Sequence, residues 1–173
     1  LLNPFIELWI GTDYLLDSKT VFIISLNWYI FGMMNSIWTF RSTMGLFVYG
    51  KYRPAVSAVI NIVISIILVE PLGLFGVLLG TTITRVVTNV WYDPLIVYKY
   101  GLKKSVFNYY IKWLKYLLMV LLNIVVISYI LSFLQQGIVI TFIIKIVMCV
   151  FVTAVIFIGM LYRTEEFKYL FHI

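Results

Sequence analysis

The sequence predicts an all-α membrane protein: a polytopic bundle of about five transmembrane helices, with its N-terminus outside and its C-terminus in the cytoplasm. The first observation behind this fold class is composition, because 63% of the 173 residues are hydrophobic and only 12% are charged. Soluble globular domains carry about 25% charged residues. Half of that fraction leaves too little polar surface to solvate a globule of this size, so we expect the chain to reside in a lipid bilayer.

The second observation is the length of the apolar segments. Five of them are separated by polar connections, at residues 20–40, 55–69, 72–92, 113–134 and 138–162. A helix of about 20 residues crosses the roughly 30 Å of hydrocarbon in a bilayer. Because backbone amides in lipid must be hydrogen-bonded within their own segment, each span is predicted to be a helix.

The third observation is the placement of the positive charges, which sets the predicted orientation. Alternate connections carry most of the basic residues: Arg41, Lys51 and Arg53, then Lys99, Lys103, Lys104, Lys112 and Lys115, and finally Arg163 and Lys168. The connections at Glu70-Pro71 and at residues 135–137 carry none. Since basic residues beside apolar spans stay in the cytoplasm, the alternate connections are predicted to be cytoplasmic.

The remaining composition argues against other classes of protein. A net charge of +6 can indicate a nucleic-acid partner, but these charges flank apolar spans, so we expect no nucleic acid. Cys149 is the single cysteine, His172 is the single histidine and lies in the tail, and the acidic residues are scattered among the connections. We therefore expect no enzyme, with no catalytic residue, no bound metal and no cofactor. Because Leu1 is not an initiator Met, we expect the chain to begin within a longer protein.

Arg85 is the first candidate for a functional residue, because it stands about thirteen residues into the third span. A charge at that depth costs at least about 2.5–3.5 kcal/mol. Its neighbours at helical spacing form a polar stripe: Thr81, Thr82, Thr88, Asn89 and Tyr92. Two interpretations follow. Arg85 either faces a bundle interior or aqueous cavity, or belongs to a structural ion pair.

Lys145 is the second candidate and also has two interpretations. It lies about 10 Å from the outer end of span five by helix rise, so its flexible side chain can reach the outer interface. It also belongs to a polar stripe that recurs every four residues, formed by Thr141, Lys145, Cys149 and Thr153. A pairing with Glu70, which is predicted on the same side of the membrane, is a further option.

Small and polar residues on the first two spans are predicted to serve helix packing. Span one presents Trp28, Gly32, Asn35, Ser36 and Thr39 on one face, and span two presents Ser57, Asn61 and Ser65. Such side chains let membrane helices approach closely and hydrogen-bond. Asn35 is large and deep in its span, so it is the best candidate of this set to line a pore. Gly73, Gly76 and Gly80 lack the Lys-Ser/Thr of a phosphate loop and are also predicted to allow close packing.

The order of several short motifs resembles a known family of transporters. Leu8-Trp9-Ile10-Gly11 and Tyr14 precede span one, Gly50-Lys51-Tyr52-Arg53 follows it, and Asn61 and Ser65 precede the run from Gly73 to Thr81. Together they resemble the C-terminal half of bacterial polysaccharide flippases. These are the O-antigen and capsule repeat-unit translocases of the multidrug/oligosaccharidyl-lipid/polysaccharide exporter superfamily. The resemblance implies that residues 1–173 form the C-terminal transmembrane lobe of a larger transporter, whose N-terminal lobe is the implied partner.

The resemblance also implies a function in polysaccharide biosynthesis at the bacterial inner (plasma) membrane. A multi-pass flippase of this family would move an undecaprenyl-pyrophosphate-linked oligosaccharide from the inner to the outer leaflet. In that role Arg85 would pair with phosphate oxygens, and Thr81, Asn89 and Asn35 would hydrogen-bond sugar hydroxyls, with Lys145 as a further residue of the substrate path. Two alternatives stay open: a cation-coupled drug exporter of the same superfamily, and a non-transporting membrane scaffold of a polysaccharide-assembly complex.

Overall fold

The computed structural model describes residues 1–132, 138–164 and 167–169, and helices account for nearly all of that part of the chain. The helices are α1 (Leu2–Trp9), α2 (Ser18–Thr43), α3 (Arg53–Arg85), α4 (Tyr92–Ile96), α5 (Phe107–Leu131) and α6 (Ile138–Leu161). Shorter helical pieces are a 3₁₀ turn (Thr12–Tyr14) and two π-helical segments (Val86–Val90 and Val97–Leu102). No β-strand occurs among the described residues. The chain is therefore all-α, as the sequence predicts.

Two compact units make up the chain. One is Leu16–Trp113, which contains α2, α3 and α4. The other combines Leu1–Leu15 with Leu114–Ile173 and contains α1, most of α5 and α6. Each unit is described by itself below.

Helix α3 is a hairpin, which turns back on itself at Gly73. The backbone of Gly73 has φ 55° and ψ −136°, a conformation that residues with a Cβ atom rarely adopt. Its two legs, residues 53–72 and 74–85, run antiparallel. The sequence placed this turn at Glu70-Pro71, and the reversal instead lies two to three residues further along the chain. Helical structure continues through Pro71, and the chain reverses only where a glycine permits the positive φ.

Glycine also sets how closely the two legs pack. A Cβ atom on Gly80 would lie 2.8 Å from Ser65 Oγ and 3.2 Å from the Ser65 backbone nitrogen. Gly76 faces the backbone of Leu68 in the same way. The prediction that Gly76 and Gly80 allow close helix packing is confirmed, since any side chain there would push the legs apart. For Gly73 the same prediction is wrong: an added Cβ there would meet no atom within 4 Å, and this glycine serves the turn.

Beyond Arg85 the second leg continues as an irregular helix to Leu102, ten residues past the predicted end of span three. It alternates π-helical and α-helical turns, and Pro94 lies in the short helix α4. The core of this unit lies between α2 and the segment that follows α4: Ile30, Met34, Ile37 and Val97 are all buried. This packing fixes the end of the hairpin against α2.

In the other unit α1 packs against α6, and the rings of Phe5 and Phe142 lie 6.3 Å apart. The hydroxyl of Thr153 on α6 lies 3.3 Å from Asn123 Oδ1 on α5. Helix α5 begins at Phe107, six residues before the predicted start of span four. Lys112 and Lys115 are therefore helical, whereas the sequence counted them in a connection.

Four helices in the described part of the chain are long and apolar enough to cross a membrane: Ser18–Thr43, Arg53–Leu102, Phe142–Leu161 and Phe107–Leu131. Their outer faces are apolar and exposed; for example, 65% of Ile66 and 61% of Val147 are accessible. Large apolar side chains in such numbers on the outside need lipid around them. The chain is an all-α polytopic bundle of the kind found in membranes, and the hairpin within Arg53–Leu102 contains the residues of the predicted second and third spans.

Candidate functional site: a polar groove in the hairpin

A polar groove of about 420 Å³ lies between the two legs of α3. Its polar side chains are Arg53, Ser57, Asn61, Thr81, Thr84, Arg85 and Asn89, and Pro54 and Ala58 complete the lining. Two guanidinium groups and five uncharged hydrogen-bonding groups thus face one space, without a carboxylate. We call this space the polar groove.

The polar stripes of the two legs meet because the hairpin is antiparallel. Ser57 Oγ lies 3.2 Å from Thr88 Oγ1, and Asn61 Nδ2 donates to Thr81 Oγ1 at 3.3 Å. The hydroxyl of Thr84 is buried and donates to the carbonyl of Gly80 at 2.8 Å. The stripe on span two, which the sequence assigned to packing, therefore also forms one wall of the groove.

Arg85 is held against α2 by a neutral partner. Its Nη1 donates to the carbonyl of Asn27 at 3.0 Å and to Asn27 Oδ1 at 3.1 Å, and its guanidinium lies 6.0 Å from the centre of the Phe31 ring. No acidic side chain pairs with Arg85 in the part of the chain that the structure describes. Of the two interpretations, the geometry favours the cavity-facing arginine over the ion pair.

A second cavity, of about 310 Å³, meets the other side of Arg85. Asn27, Trp28, Phe31 and Thr81 line it together with aliphatic residues. Arg85 thus separates the polar groove from a more apolar space between α2 and the second leg. A ligand with polar and apolar parts could therefore contact the polar groove and the more apolar cavity on either side of the Arg85 guanidinium.

Asn27 is a site residue that the sequence analysis missed. Its Nδ2 donates to Thr82 Oγ1 at 2.9 Å and lies 3.1 Å from the carbonyl oxygens of Ile23 and Leu78. It therefore bridges α2 to the second leg and orients Arg85 at the same time. The available signal in the sequence is a lone amide in mid-span, but its helical neighbours are apolar and form no polar stripe with it.

Arg53, at one end of the groove, also belongs to a group of four side chains that we call the Asp93 cluster: Trp38, Arg41, Arg53 and Asp93. The Asp93 side chain is fully buried, and its Oδ2 accepts a hydrogen bond from Trp38 Nε1 at 2.8 Å. Its Oδ1 accepts from Arg41 Nη1 at 2.9 Å and contacts Arg53 Nη1. The sequence analysis placed Arg41 and Arg53 in the connection after span one; both are ion-paired, with side chains only 12% and 15% exposed.

The structure brings three of the five predicted site residues together, since Thr81, Arg85 and Asn89 all line the polar groove. Asn35 lies on an exposed face of α2 and lines neither the polar groove nor the cavity beside it. Lys145 is half-buried on α6, in the other unit, and no described acidic residue pairs with it.

Several other predicted features have less support or lie outside the described residues. Glu70 is exposed and forms no ion pair within the described ranges. The side chain of Thr141, the connection at residues 135–137 and His172 lie outside the described residues. Among the described residues no three His, Cys, Asp or Glu side chains group as metal ligands would.

No known family model, curated protein or solved structure matches this chain. The ligand class is therefore inferred from the chemistry of the side chains that line the groove. Guanidinium groups bind phosphate and carboxylate oxygens, often through two parallel hydrogen bonds, and hydroxyl and amide groups complement the hydroxyls of sugars. A space with two guanidiniums and no facing acid favours an anionic ligand and disfavours a cationic one.

Proposed function

We propose that this chain is part of a flippase, a membrane transporter that translocates lipid-linked oligosaccharide across the bacterial inner membrane for polysaccharide biosynthesis. The substrate class is an undecaprenyl-pyrophosphate-linked oligosaccharide. The observation that carries the proposal is the polar groove, in which Arg53 and Arg85 face five uncharged polar side chains inside an apolar helical hairpin. The motif order from Leu8 to Thr81 adds the family resemblance.

The depth of Arg85 supports translocation over binding at the membrane surface. Its partner Asn27 lies nine residues inside α2, which begins at Ser18. At 1.5 Å per residue that is about 13 Å from the helix end, close to the bilayer midplane. A charged side chain held there without an acidic partner is costly, and such residues in transporters mark the path of polar substrates.

The two parts of the substrate match the two surfaces at Arg85. A pyrophosphate would pair with the guanidiniums of Arg85 and Arg53, and sugar hydroxyls would hydrogen-bond Asn61, Thr81 and Asn89. The polyprenyl chain would remain in lipid beside the apolar outer faces. Because hydrated sugars and phosphates are excluded from hydrocarbon, this groove would replace water as their hydrogen-bonding partner during transfer.

In this proposal the Asp93 cluster lies at the cytoplasmic end of the groove. Arg41 and Arg53 flank the connection after span one, which the charge distribution assigns to the cytoplasm. In this proposal an N-terminal lobe, which the family resemblance implies, would supply the opposite wall of the path, because alternating access needs two lobes that rock against each other.

A cation-coupled drug exporter is the second candidate that the sequence left open, and the groove argues against it. Such a transporter needs a carboxylate that a cation can reach. Asp93 is the acid nearest the groove in the described chain, and it is buried beneath two arginines and a tryptophan. The third candidate, a scaffold without transport, requires that Arg85 have no ligand and tolerate replacement.

Ligand binding to purified chain in nanodiscs tests the proposal. The probe is a fluorescent polyprenyl-pyrophosphate disaccharide, with the corresponding uncharged polyprenol as the reference lipid. We expect the wild-type chain to prefer the pyrophosphate lipid, and Arg85→Gln to lose at least roughly tenfold in affinity for it, because a charge-assisted contact is worth about 1.5–3 kcal/mol.

The matched control is Arg163→Gln, which removes the same charge from an exposed position outside the groove. It should bind like the wild type. Equal affinity for the charged and uncharged lipids, or equal losses from Arg85→Gln and Arg163→Gln, would refute the proposal, and a tolerated Arg85→Gln would favour the scaffold.

A further inference from the structure

Arg53 belongs to two environments at once. It lines the polar groove, and its guanidinium also contacts the buried carboxylate of Asp93. Its Nε and Nη1 are both buried, and neither makes a hydrogen bond among the described residues, although Nη1 contacts the Asp93 carboxylate. An arginine that is only partly hydrogen-bonded and faces a polar space is able to exchange one partner for another.

The Asp93 cluster also carries more positive than negative charge. Two guanidiniums, Arg41 and Arg53, share one carboxylate, and all three side chains are mostly buried. The formal charge of the cluster is therefore +1. Buried charge without a counter-charge is unfavourable, so the cluster attracts an additional anion.

Removal of Arg53 from the cluster would leave the carboxylate satisfied. Asp93 Oδ1 would keep its ion pair with Arg41 at 2.9 Å, and Oδ2 would keep the hydrogen bond from Trp38 at 2.8 Å. The remaining pair would be neutral. The cost of releasing Arg53 is thus limited to one of three contacts, while the charge balance improves.

We propose that Asp93 is a positioning residue that competes with the anionic ligand for Arg53. Without the ligand, Asp93 holds Arg53 in the Asp93 cluster. When a phosphate group enters, Arg53 leaves Asp93 and binds the phosphate, and Arg41 and Trp38 retain the carboxylate. This exchange lowers the affinity for the anion, which favours release after transfer. It rests on the anionic ligand of the proposed function.

The length of the groove is compatible with this exchange. Ser57 faces Thr88, so Arg53 lies about one helical turn from this pair toward the Asp93 cluster. Arg85 lies about one turn in the other direction. The two guanidinium-bearing positions are therefore separated by about seven residues, or about 10 Å along the hairpin, and a ligand entering at one position approaches the other.

Calorimetric titration of the detergent-solubilised chain with inorganic pyrophosphate tests the competition with two variants that should change the affinity in opposite directions. Asp93→Asn removes the competing charge but keeps an acceptor for Trp38, so we expect about tenfold tighter binding. Arg41→Gln leaves Asp93 with Arg53 as its only cation, so we expect about tenfold weaker binding. A merely structural role would weaken binding in both variants.

Trp38→Phe provides a test that preserves every charge, in case Asp93→Asn does not fold. Loss of the Trp38 donor makes the carboxylate depend more on Arg53, so we expect two- to threefold weaker binding of pyrophosphate. Arg53→Gln is the control for specificity, and it should be insensitive to a second substitution at Trp38.

The outcomes separate this inference from the proposed function. If neither the wild type nor any variant binds pyrophosphate, the anionic groove and the competition are both refuted. If the wild type binds but Asp93→Asn binds equally or more weakly, or if Trp38→Phe leaves the affinity unchanged, the competition alone is refuted. Tighter binding by Asp93→Asn together with weaker binding by Arg41→Gln supports it.

Discussion

Asn27 joins α2 to the second leg of the hairpin, and its replacement by leucine is the most direct perturbation of the site's architecture. The change keeps the side-chain volume similar but removes the amide. It abolishes the hydrogen bond to Thr82 Oγ1 at 2.9 Å and the acceptor for Arg85 Nη1 at 3.1 Å. The carbonyl of residue 27 still accepts from Arg85, as it does now at 3.0 Å.

The expected loss follows from these contacts. Hydrogen bonds between membrane helices contribute about 0.6 kcal/mol on average. A bond to a charged group contributes about 1.5–3 kcal/mol, and the retained carbonyl contact favours the lower end of that range. We therefore expect Asn27→Leu to reduce the free energy of unfolding by about 2 kcal/mol.

Titration with sodium dodecyl sulfate in mixed micelles, followed by circular dichroism, measures this change. The control is Asn35→Leu, which makes the same substitution on an exposed face of the same helix. Surface substitutions usually change stability by less than about 0.5 kcal/mol. Similar losses from Asn27→Leu and Asn35→Leu would refute the idea that Asn27 joins the two helices.

Three further predictions concern packing and electrostatics elsewhere in the chain. Gly80→Ala should destabilise the hairpin by about 1–3 kcal/mol, because the added Cβ would meet the backbone of the opposite leg. The control is Gly159→Ala, whose added Cβ would have no atom within 4 Å, and it should be nearly neutral in the same detergent titration. Asn123→Leu should stabilise the chain by about 1 kcal/mol in that titration, because removing the buried, unpartnered Nδ2 of Asn123 outweighs losing the 3.3 Å contact between its Oδ1 and the Thr153 hydroxyl. A hydrogen bond from the Thr20 side chain holds the pKa of Asp17 below its ordinary value, so ionised Asp17 stabilises the folded state. That stabilisation is fully present above the pKa of Asp17 in the unfolded chain and is lost as the pH falls through its pKa in the folded chain. Thr20→Val should raise the pKa of Asp17, which a carboxyl-carbon NMR titration measures; an unchanged pKa would contradict the assignment.

The helices could be predicted from the sequence because hydrophobic length and backbone hydrogen bonding leave few options in lipid. The close approach of the hairpin legs was also predictable, since Gly76 and Gly80 have no other evident use. The turn was harder to place. Pro71 was a strong local signal for a break, but the helix tolerates it near the end of the first leg, and only Gly73 adopts the positive φ of the reversal.

The site was predictable in part, where one helix carries several of its residues. Thr81, Arg85 and Asn89 are spaced at helical intervals, so a single stripe identifies all three. The Asp93 cluster was not visible, because its ion pairs join residues 52 and 40 positions apart. Asp93 also lies one residue beyond the predicted end of span three, where an acid is normally solvated.

Helix rotation explains why Asn35 was predicted to line the path and Asn27 was not. Eight residues separate them, which at 3.6 residues per turn places them about 80° apart around α2. The two amides therefore face different surroundings, although both lie within the same apolar span. The sequence indicates the angle between the two amides but not which side of α2 faces the hairpin. The contacts of Asn27 with Thr82 and Arg85 show that the Asn27 side does.

Photocrosslinking tests most directly whether the polar groove receives the headgroup of a lipid-linked oligosaccharide. The chain is reconstituted in vesicles with a polyprenyl-pyrophosphate disaccharide that carries a diazirine on the sugar, and crosslinked peptides are mapped by mass spectrometry. We predict adducts on residues 53–61 and 81–89, which Arg85→Gln should reduce. Adducts confined to the apolar outer faces, or unaffected by Arg85→Gln, would contradict the account.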